Sequence, residues 1–306
     1  MQHSTKTMKL ARLINVLNVS LPSGVEDFDV SLVTADSRQA QHNSVFVAIK
    51  GNAADGHRYI EQAVRAGARC VIVQDTVPAR FADNALVVED TRRAFALLAV
   101  EFYGDPSSRI QVTGVTGTNG KTTVTYLIEA LLARGGRKPA VIGTINVRFG
   151  GTVIDAKNTT PPAGQLQELL AWMRDAGATD AVMEVSSHAL DQNRTEGVKF
   201  AAAIFTNLTR DHLDYHKDFE RYFQAKAKLF TGLSDRSYAF INVDDAYGKK
   251  LVSVSKGTLV TFGIDAAADV QARDIQADDS CTRFTVRHPE GEMAIVTPLI
   301  GRHNIY

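Results

Sequence analysis

Residues 114–123 read Gly114-Val-Thr-Gly117-Thr-Asn-Gly120-Lys121-Thr122-Thr123, and these types at this spacing suit the cradling of a nucleoside triphosphate. Over Gly117, Thr118, Asn119, Gly120, Lys121, Thr122 and Thr123 the glycines let backbone N–H groups turn toward phosphate oxygens, and a helix N-terminus behind them adds to the attraction. Lys121 brings a cation to the outer phosphates. Thr122 brings a hydroxyl to Mg²⁺, which takes a few oxygen ligands and keeps several waters. The competing reading is an ordinary strand-to-helix turn.

A carboxylate stands where such a loop needs one. The run Ala181-Val-Met-Glu184-Val-Ser186-Ser187-His188 reads as a strand with Glu184 at its tip. In a doubly wound sheet that tip lies at the ligand edge, so Glu184 is expected to be a second magnesium ligand, or else a solvated strand-end residue. The next strand ends Phe205-Thr-Asn207-Leu-Thr-Arg210-Asp211-His212-Leu-Asp214-Tyr-His216, a dense set of imidazoles, carboxylates and an amide. His212 is a candidate metal ligand or a hydrogen-bonded structural residue.

The helical pattern Phe219-Glu-Arg-Tyr222-Phe223-Gln-Ala-Lys226-Ala-Lys228-Leu229-Phe230 places Lys226 inside its apolar stripe and Lys228 off it. Burial disfavours the charged form, so the pKa of Lys226 should fall and free its amine for chemistry, including addition to CO₂ to give an anionic carbamate. From helical position alone, a stem that snorkels its charge to solvent is the expected alternative. Asp36-Ser37-Arg38 and Gly51-Asn52-Ala53-Ala54-Asp55-Gly56-His57 offer loop hydroxyl, amide and guanidinium groups. Asn158-Thr159-Thr160 is a polar turn able to bind an anion or cap the helix after it.

The elements that must position these groups follow from pattern. Val45-Phe-Val-Ala-Ile49, Cys70-Val-Ile-Val and Leu86-Val-Val alternate with helical stretches over Ile60 to Ala66 and Arg93 to Phe102, giving a small N-terminal α/β domain over residues 1–108. Gly104-Asp-Pro-Ser-Ser108 reads as a linker. Residues 109–306 form a central domain with strands near 110–115, 140–143, 180–185, 200–206, 238–243 and 258–263, separated by helices. That alternation is the mark of an α/β, doubly wound, mostly parallel sheet. Arg273 to Thr297 switches to alternating β, an antiparallel appendage turning at Pro289-Glu-Gly291. The last residues look like the opening of a helix, so the chain is expected to be a fragment.

Composition excludes several classes. The 306 residues are 44% hydrophobic, enough for real cores. Lysine plus arginine equals aspartate plus glutamate at 34 each, so no global field argues for nucleic acid or a membrane surface. No apolar run approaches the roughly 18 residues a membrane span requires, and a cytoplasmic protein is expected. Cys70 and Cys281 sit in separate strand-like stretches, where reduced packing roles are expected.

Thr116-Gly-Thr-Asn-Gly-Lys-Thr-Thr123, Asn158-Thr-Thr160, Glu184-Val-Ser-Ser-His188 and Thr206-Asn-Leu-Thr-Arg-Asp-His-Leu-Asp-Tyr-His216 together closely resemble the ATP-dependent Mur ligases of peptidoglycan synthesis. The likeness runs from about Thr34 to the last residue, and is strongest to the branch that adds meso-diaminopimelate or L-lysine to UDP-MurNAc-L-Ala-D-Glu. It implies a carboxylate activated by ATP to an acyl phosphate, attack by the incoming amine, and release of ADP and phosphate in a cytoplasmic monomer. It also implies the triphosphate on Gly117 to Thr123, with Lys121, His212 and Lys226 catalytic. Mg²⁺ would sit on Thr122 and Glu184, and a second ion on His212 and carbamylated Lys226. The UDP-linked substrate would be held by Ala35, Ser37, Asn52, Ala53, Ala54, Asn158, Thr159, Thr160, Ser186, Gln192 and Arg194, the last through its two-pronged fork. Asn242 and Asp245 would lie near the nucleotide.

The sequence departs from the family pattern in places. Val115 holds the first glycine position of the strict phosphate-loop pattern, in keeping with the Mur variant, and Asn43 stands where relatives often have glycine. The family's C-terminal Rossmann-like domain is expected to be absent, leaving the central domain incomplete. Two alternatives stay open: a sister ligase, and a chain that binds UDP-substrate and nucleotide without turnover. Folylpolyglutamate synthetases resemble Gly-Lys-Gly-Ser at the loop, which Lys121-Thr122-Thr123 does not match.

Overall fold

The computed structural model describes residues 7–21, 24–51, 54–74 and 79–306, and the chain divides into two compact units. The first comprises Met1–Arg109 with Pro161–Ala176 and Gln192–Val198. It holds a short antiparallel pair, β1 (Met8–Lys9) with β2 (Asp29–Val30). Beside it runs a four-stranded parallel sheet in the order β3 (Leu32–Thr34), β4 (Ser44–Val47), β5 (Ala68–Val73), β6 (Ala85–Val87). β4 is buried throughout and β5 nearly so, the two-sided burial expected of parallel strands covered on both faces. Asn43, ahead of β4, takes a left-handed φ of 62°, a conformation asparagine tolerates where most side chains do not.

Helix Thr91–Tyr103 begins at Asp90, whose carboxylate accepts from the N–H groups of Arg92 and Arg93, and ends at left-handed Gly104. Those caps satisfy groups that a helix leaves without internal partners. Phe95, Leu98 and Phe102 from this helix enter one core with Leu13, Val45, Ile72 and Ala163. Ala163 opens helix Ala163–Asp175. Gly164 sits so close to Phe95 that an added methyl would lie 2.8 Å from the ring. Cys70 is buried here as a free thiol, its pKa pushed up to about 12 by burial, which makes it inert packing.

The second unit, Ile110–Thr160 with Gly177–Asp191 and Lys199–Tyr306, is built on an eleven-stranded sheet. Its strands in chain order are β7 (Gln111–Thr116), β8 (Pro139–Ile142), β9 (Asn146–Phe149), β10 (Thr152–Asp155), β11 (Asp180–Glu184) and β12 (Phe200–Phe205). Then follow β13 (Tyr238–Asn242), β14 (Thr258–Gly263), β15 (Val270–Ala277), β16 (Thr282–His288) and β17 (Gly291–Thr297). Across the sheet the order is β10-β9-β8-β11-β7-β12-β13-β14-β15-β16-β17. From β8 to β15 all neighbours are parallel, with antiparallel pairs at both margins. This is the mostly parallel α/β sheet expected, with β15 to β17 as its antiparallel appendage.

Because β7 lies between β11 and β12, the loops leaving these three strands share one edge, where ligands of such sheets gather. The hairpin β9–β10 turns on Gly150 and Gly151, both at positive φ, as a tight two-residue hairpin turn demands. The chain's last residues form a 3₁₀ turn, Arg302–Asn304, rather than the opening of an α-helix.

Candidate active site

The phosphate loop leaves β7 and enters helix Lys121–Arg134. Gly117 and Gly120 have φ of +151° and +86°, values that L side chains avoid. A methyl on Gly117 would also collide with the Thr206 hydroxyl. Gly120, the cap of the helix, offers no side chain to its first N–H groups. The first-turn donors therefore have neither an internal partner nor a side-chain cap, which suits them to an anion.

The end of β12 clamps this loop. Thr118 N donates to Asn207 O at 2.8 Å, Asn119 N donates to Asn207 Oδ1 at 3.0 Å, and Thr206 Oγ1 donates to Asn119 O at 2.7 Å. Lys121 Nζ donates to the carbonyls of Gly117 and Thr118, at 3.0 and 2.8 Å. Burial lowers its pKa, with Glu184 and Asp211 pulling the other way.

Glu184, 1% exposed, ends β11 beside the loop. Its Oε2 accepts from Thr122 Oγ1 at 2.9 Å and from Thr144 Oγ1 at 3.0 Å, and its Oε1 accepts from Thr144 N at 2.9 Å. This is a buried carboxylate surrounded by neutral donors, with a threonine hydroxyl against it. A hard cation would fit there, since it prefers oxygen ligands and would offset the buried charge. Gly143 leaves the room: a methyl there would overlap Glu184 Oε1.

Lys226 lies in helix Phe219–Thr231, which Asp218 caps by accepting from Arg221 N. The apolar stripe turns inward, taking Tyr222, Phe223, Leu229, Phe230 and Lys226 with it. Lys226 is 2% exposed, while the Lys228 side chain is 50% exposed. Snorkelling, the alternative expected from helical position, is overturned: the stem has no route to solvent, and Nζ instead donates to Gly117 O at 2.8 Å. It also lies 4.7 Å from the centre of the Tyr222 ring. Burial, with Lys121 adding to it, holds its pKa well below the ordinary 10.5, so the neutral amine is favoured.

Tyr222 ties these parts together. Its hydroxyl is 3.1 Å from Thr118 Oγ1, and its ring stacks on His216 at 5.1 Å and meets His212 edge-on at 6.2 Å. His216 Nε2 lies 2.9 Å from Ser187 Oγ; its pKa is lowered by burial first, then by His188. The side chain of His212 is 45% exposed. Among the described residues no three histidine, cysteine, aspartate or glutamate side chains converge as a ready cation site, so a cation here would need oxygens from elsewhere, such as phosphate.

Asn242 and Asp245 line a cavity of about 270 Å³ with Gly120, Thr206, His303 and Tyr306. Both also hold the scaffold. Asn242 Nδ2 donates to Thr206 O at 2.8 Å, and Asp245 caps helix Ala246–Val252 while accepting from Leu208 N. In the same cavity Asp244 accepts from the N–H groups of Ile264, Asp265 and Ala266 and from Tyr306 OH. Burial alone would raise its pKa; these donors outweigh burial and lower it.

The residues expected to bind the UDP-linked substrate fall in both units. Ala35, Ser37, Ala54, Gln192 and Arg194 belong to the first, and Asn158, Thr159, Thr160 and Ser186 to the second. Asn52 and Ala53 lie outside the described residues. Ser37 Oγ donates to Gln62 Oε1 at 3.0 Å, and Arg194 directs Nε and Nη2 at Gln192 Oε1. Thr160 is buried, donating to Glu184 O at 2.8 Å and accepting from Ser186 N at 3.0 Å, so its hydroxyl fastens the polar turn to the end of β11. It does not cap helix Ala163–Asp175, whose cap is Pro162 with no side-chain bond. Sequence reasoning missed Thr144, Tyr222, Thr206 and Asn207 as site residues. The last two stood in plain view at the end of a strand, and strand order was the missing signal.

The sequence and the fold both have known relatives. Residues 29–103 match the catalytic domain of the Mur ligase family, and residues 115–306 match the Mur ligase middle domain. A UDP-N-acetylmuramoyl-L-alanyl-D-glutamate--2,6-diaminopimelate ligase from Geobacter metallireducens is 43% identical over 98% of this chain and 60% of its own length. The like-named enzyme of Bacillus licheniformis is 38% identical over 98% of this chain and 62% of its own length. A solved structure of a ligase of that name superposes with a TM-score of 0.84 at 27% identity, over 97% of this chain and 61% of the other. A MurF from Acinetobacter baumannii shares the fold, with a TM-score of 0.65 at 21% identity over 98% of this chain and 63% of the other. The chain thus spans about 60% of the length of the curated relatives it matches. Since the middle-domain match alone takes in residues 115–306, well over half of the sequence, the chain belongs to the Mur ligase family.

Proposed function

We propose that the protein carrying this chain is an ATP-dependent ligase of peptidoglycan precursor synthesis, adding meso-diaminopimelate or L-lysine to UDP-MurNAc-L-Ala-D-Glu through an acyl phosphate. The observation that carries this reading is the approach of Thr122 to Glu184 at 2.9 Å and of Lys226 to Gly117 at 2.8 Å. Together these put a buried carboxylate, a hydroxyl and a dry amine around one phosphate loop. The names of relatives at 36–43% identity supply the substrates.

On this reading Gly117 to Thr123 wrap the triphosphate, and Lys121 leaves the loop carbonyls for the more strongly attracting phosphate oxygens. Asn242 and Asp245 border the rest of the nucleotide. Thr122 and Glu184 would hold one Mg²⁺, and His212 with Lys226 as its carbamate a second. Bound there, magnesium would neutralise phosphate charge as the γ-phosphoryl group is transferred, a reaction in which positioning and charge neutralisation supply most of the catalysis. Carbamate formation needs the neutral amine: its lone pair bonds to the carbon of CO₂ and one proton is released. Ala35, Ser37, Ala54, Gln192 and Arg194, and likewise Asn158, Thr159 and Ser186, would contact the UDP-linked peptide. Thr160 would shape that surface through its bonds to Glu184 and Ser186.

Among the described residues no helix is long and apolar enough to cross a membrane. A monomer working in the cytoplasm, where UDP-linked precursors and ATP are available, completes the proposal. Incubating the whole protein with ATP, Mg²⁺, UDP-MurNAc-L-Ala-D-Glu and each diamino acid tests it. Formation of the tripeptide product with one ADP per bond supports it, and ADP release without a product refutes it.

A further inference from the structure

We propose that Thr144 is a positioning residue, aiming the Glu184 carboxylate at the cation and linking it to the polar turn at Thr159. The inference rests on the ligase reading of Glu184. Thr144 lies just after β8, the strand next to β11, and meets both carboxylate oxygens: its N–H donates to Oε1 at 2.9 Å and its hydroxyl to Oε2 at 3.0 Å.

The terminal torsion of a glutamate is broad, so neighbouring donors must set the plane of the carboxylate. Thr122 touches Oε2 alone; Thr144 spans both oxygens and so fixes the plane. Gly143 makes that approach possible, because a methyl there would overlap Oε1. Thr144 Oγ1 is also 3.0 Å from Thr159 Oγ1. A hydroxyl carries one proton, so at any moment Thr144 donates either to Glu184 or to Thr159. A cation that takes over Oε2 weakens the first bond and favours the second. Thr144 therefore couples the state of the carboxylate to the turn assigned to the UDP-linked substrate.

The test uses the whole protein with Thr144→Val, which keeps shape and backbone N–H but loses the hydroxyl, and Thr144→Ser, which restores it. Mn²⁺ binding is read by electron paramagnetic resonance in the presence of a non-hydrolysable ATP analogue, and analogue binding is read without divalent cation. The expected result is about tenfold weaker Mn²⁺ binding in Thr144→Val, the usual cost of removing a group that orients a metal ligand. Thr144→Ser should recover wild-type affinity, and metal-free analogue binding should not change. A purely structural role would lower melting temperature without this metal-specific loss. Wild-type Mn²⁺ affinity in Thr144→Val, alongside a loss in Glu184→Gln, would overturn the role of Thr144 and leave the ligase reading standing. Wild-type affinity in Glu184→Gln would overturn the assignment of Glu184 and this inference with it.

Discussion

Lys226 and Lys121 donate to the same carbonyl: both amines reach Gly117 O, at 2.8 and 3.0 Å. Two ammonium groups so placed repel each other, and Lys121 accordingly adds to burial in lowering the pKa of Lys226. Burial lowers the pKa of both lysines, and that of Lys226 further; on the proposed reading Lys121 is the cation for phosphate and Lys226 the dry amine.

Lys121→Ala should weaken nucleotide binding by at least about tenfold, roughly 1.4 kcal/mol, and leave binding of the UDP-linked peptide unchanged. Parallel calorimetric titrations with each ligand check this. Equal losses would mean that the two ligands do not occupy separate sites.

Lys226→Ala should abolish turnover and regain part of it with short-chain carboxylates that stand in for the carbamate. Lys226→Met should also abolish turnover, yet stabilise the fold at neutral pH by about 1 kcal/mol, because it removes a buried ionisable group. The sign follows from linkage. The folded state favours the neutral amine while the unfolded chain keeps its proton up to the ordinary 10.5. The stability tied to Lys226 is therefore complete above that pH and is lost as pH falls toward the lowered value. Thermal melts across the alkaline range should rise with pH in the wild type and rise less in Lys226→Met.

The strands of the second unit were legible because parallel strands buried on both faces read as short apolar runs: Ala181-Val-Met183 is one, and all of β11 is buried. The Lys226 and Lys228 distinction was legible too, since helical period alone separates the buried face from the open one. Thr144 and Tyr222 were not legible. Each acts through contacts set by strand order and helix docking, which bring residues 40 and 104 positions apart together. The β9–β10 hairpin was missed although Gly150-Gly151 between β-formers signalled it. Pro161–Ala176 and Gln192–Val198 pack with the first unit, the former placing Ala163 in its core and the latter pairing Glu196 with Arg93 and Asn193 with Asp90, long-range matches that local pattern does not carry.

Gly117→Ala should reduce nucleotide affinity by more than about tenfold, combining strain at positive φ with a collision. Since the collision is with the Thr206 hydroxyl, adding Thr206→Ala should recover part of the loss. Fluorescent-nucleotide titration of the single and double variants decides, and no recovery would assign the whole effect to the backbone.

Asp244→Ala should cost about 1 kcal/mol at neutral pH, because three backbone donors and Tyr306 OH lose their charged acceptor. The Asp244 carboxyl is held below 3.8, so its contribution is present above that pH and lost as pH falls through the lowered value. Chemical denaturation at neutral and strongly acid pH should show the gap between wild type and variant closing in acid.

The most direct measurement is calorimetric binding of UDP-MurNAc-L-Ala-D-Glu to the whole protein, beside the forms that carry one and three amino acids. The account predicts preference for the dipeptide form by at least about tenfold, since a site built to pair a terminal carboxylate discriminates against ligands that leave its polar groups unpaired. Tighter binding of the one-residue or three-residue form would contradict it and move the chain to a sister ligase.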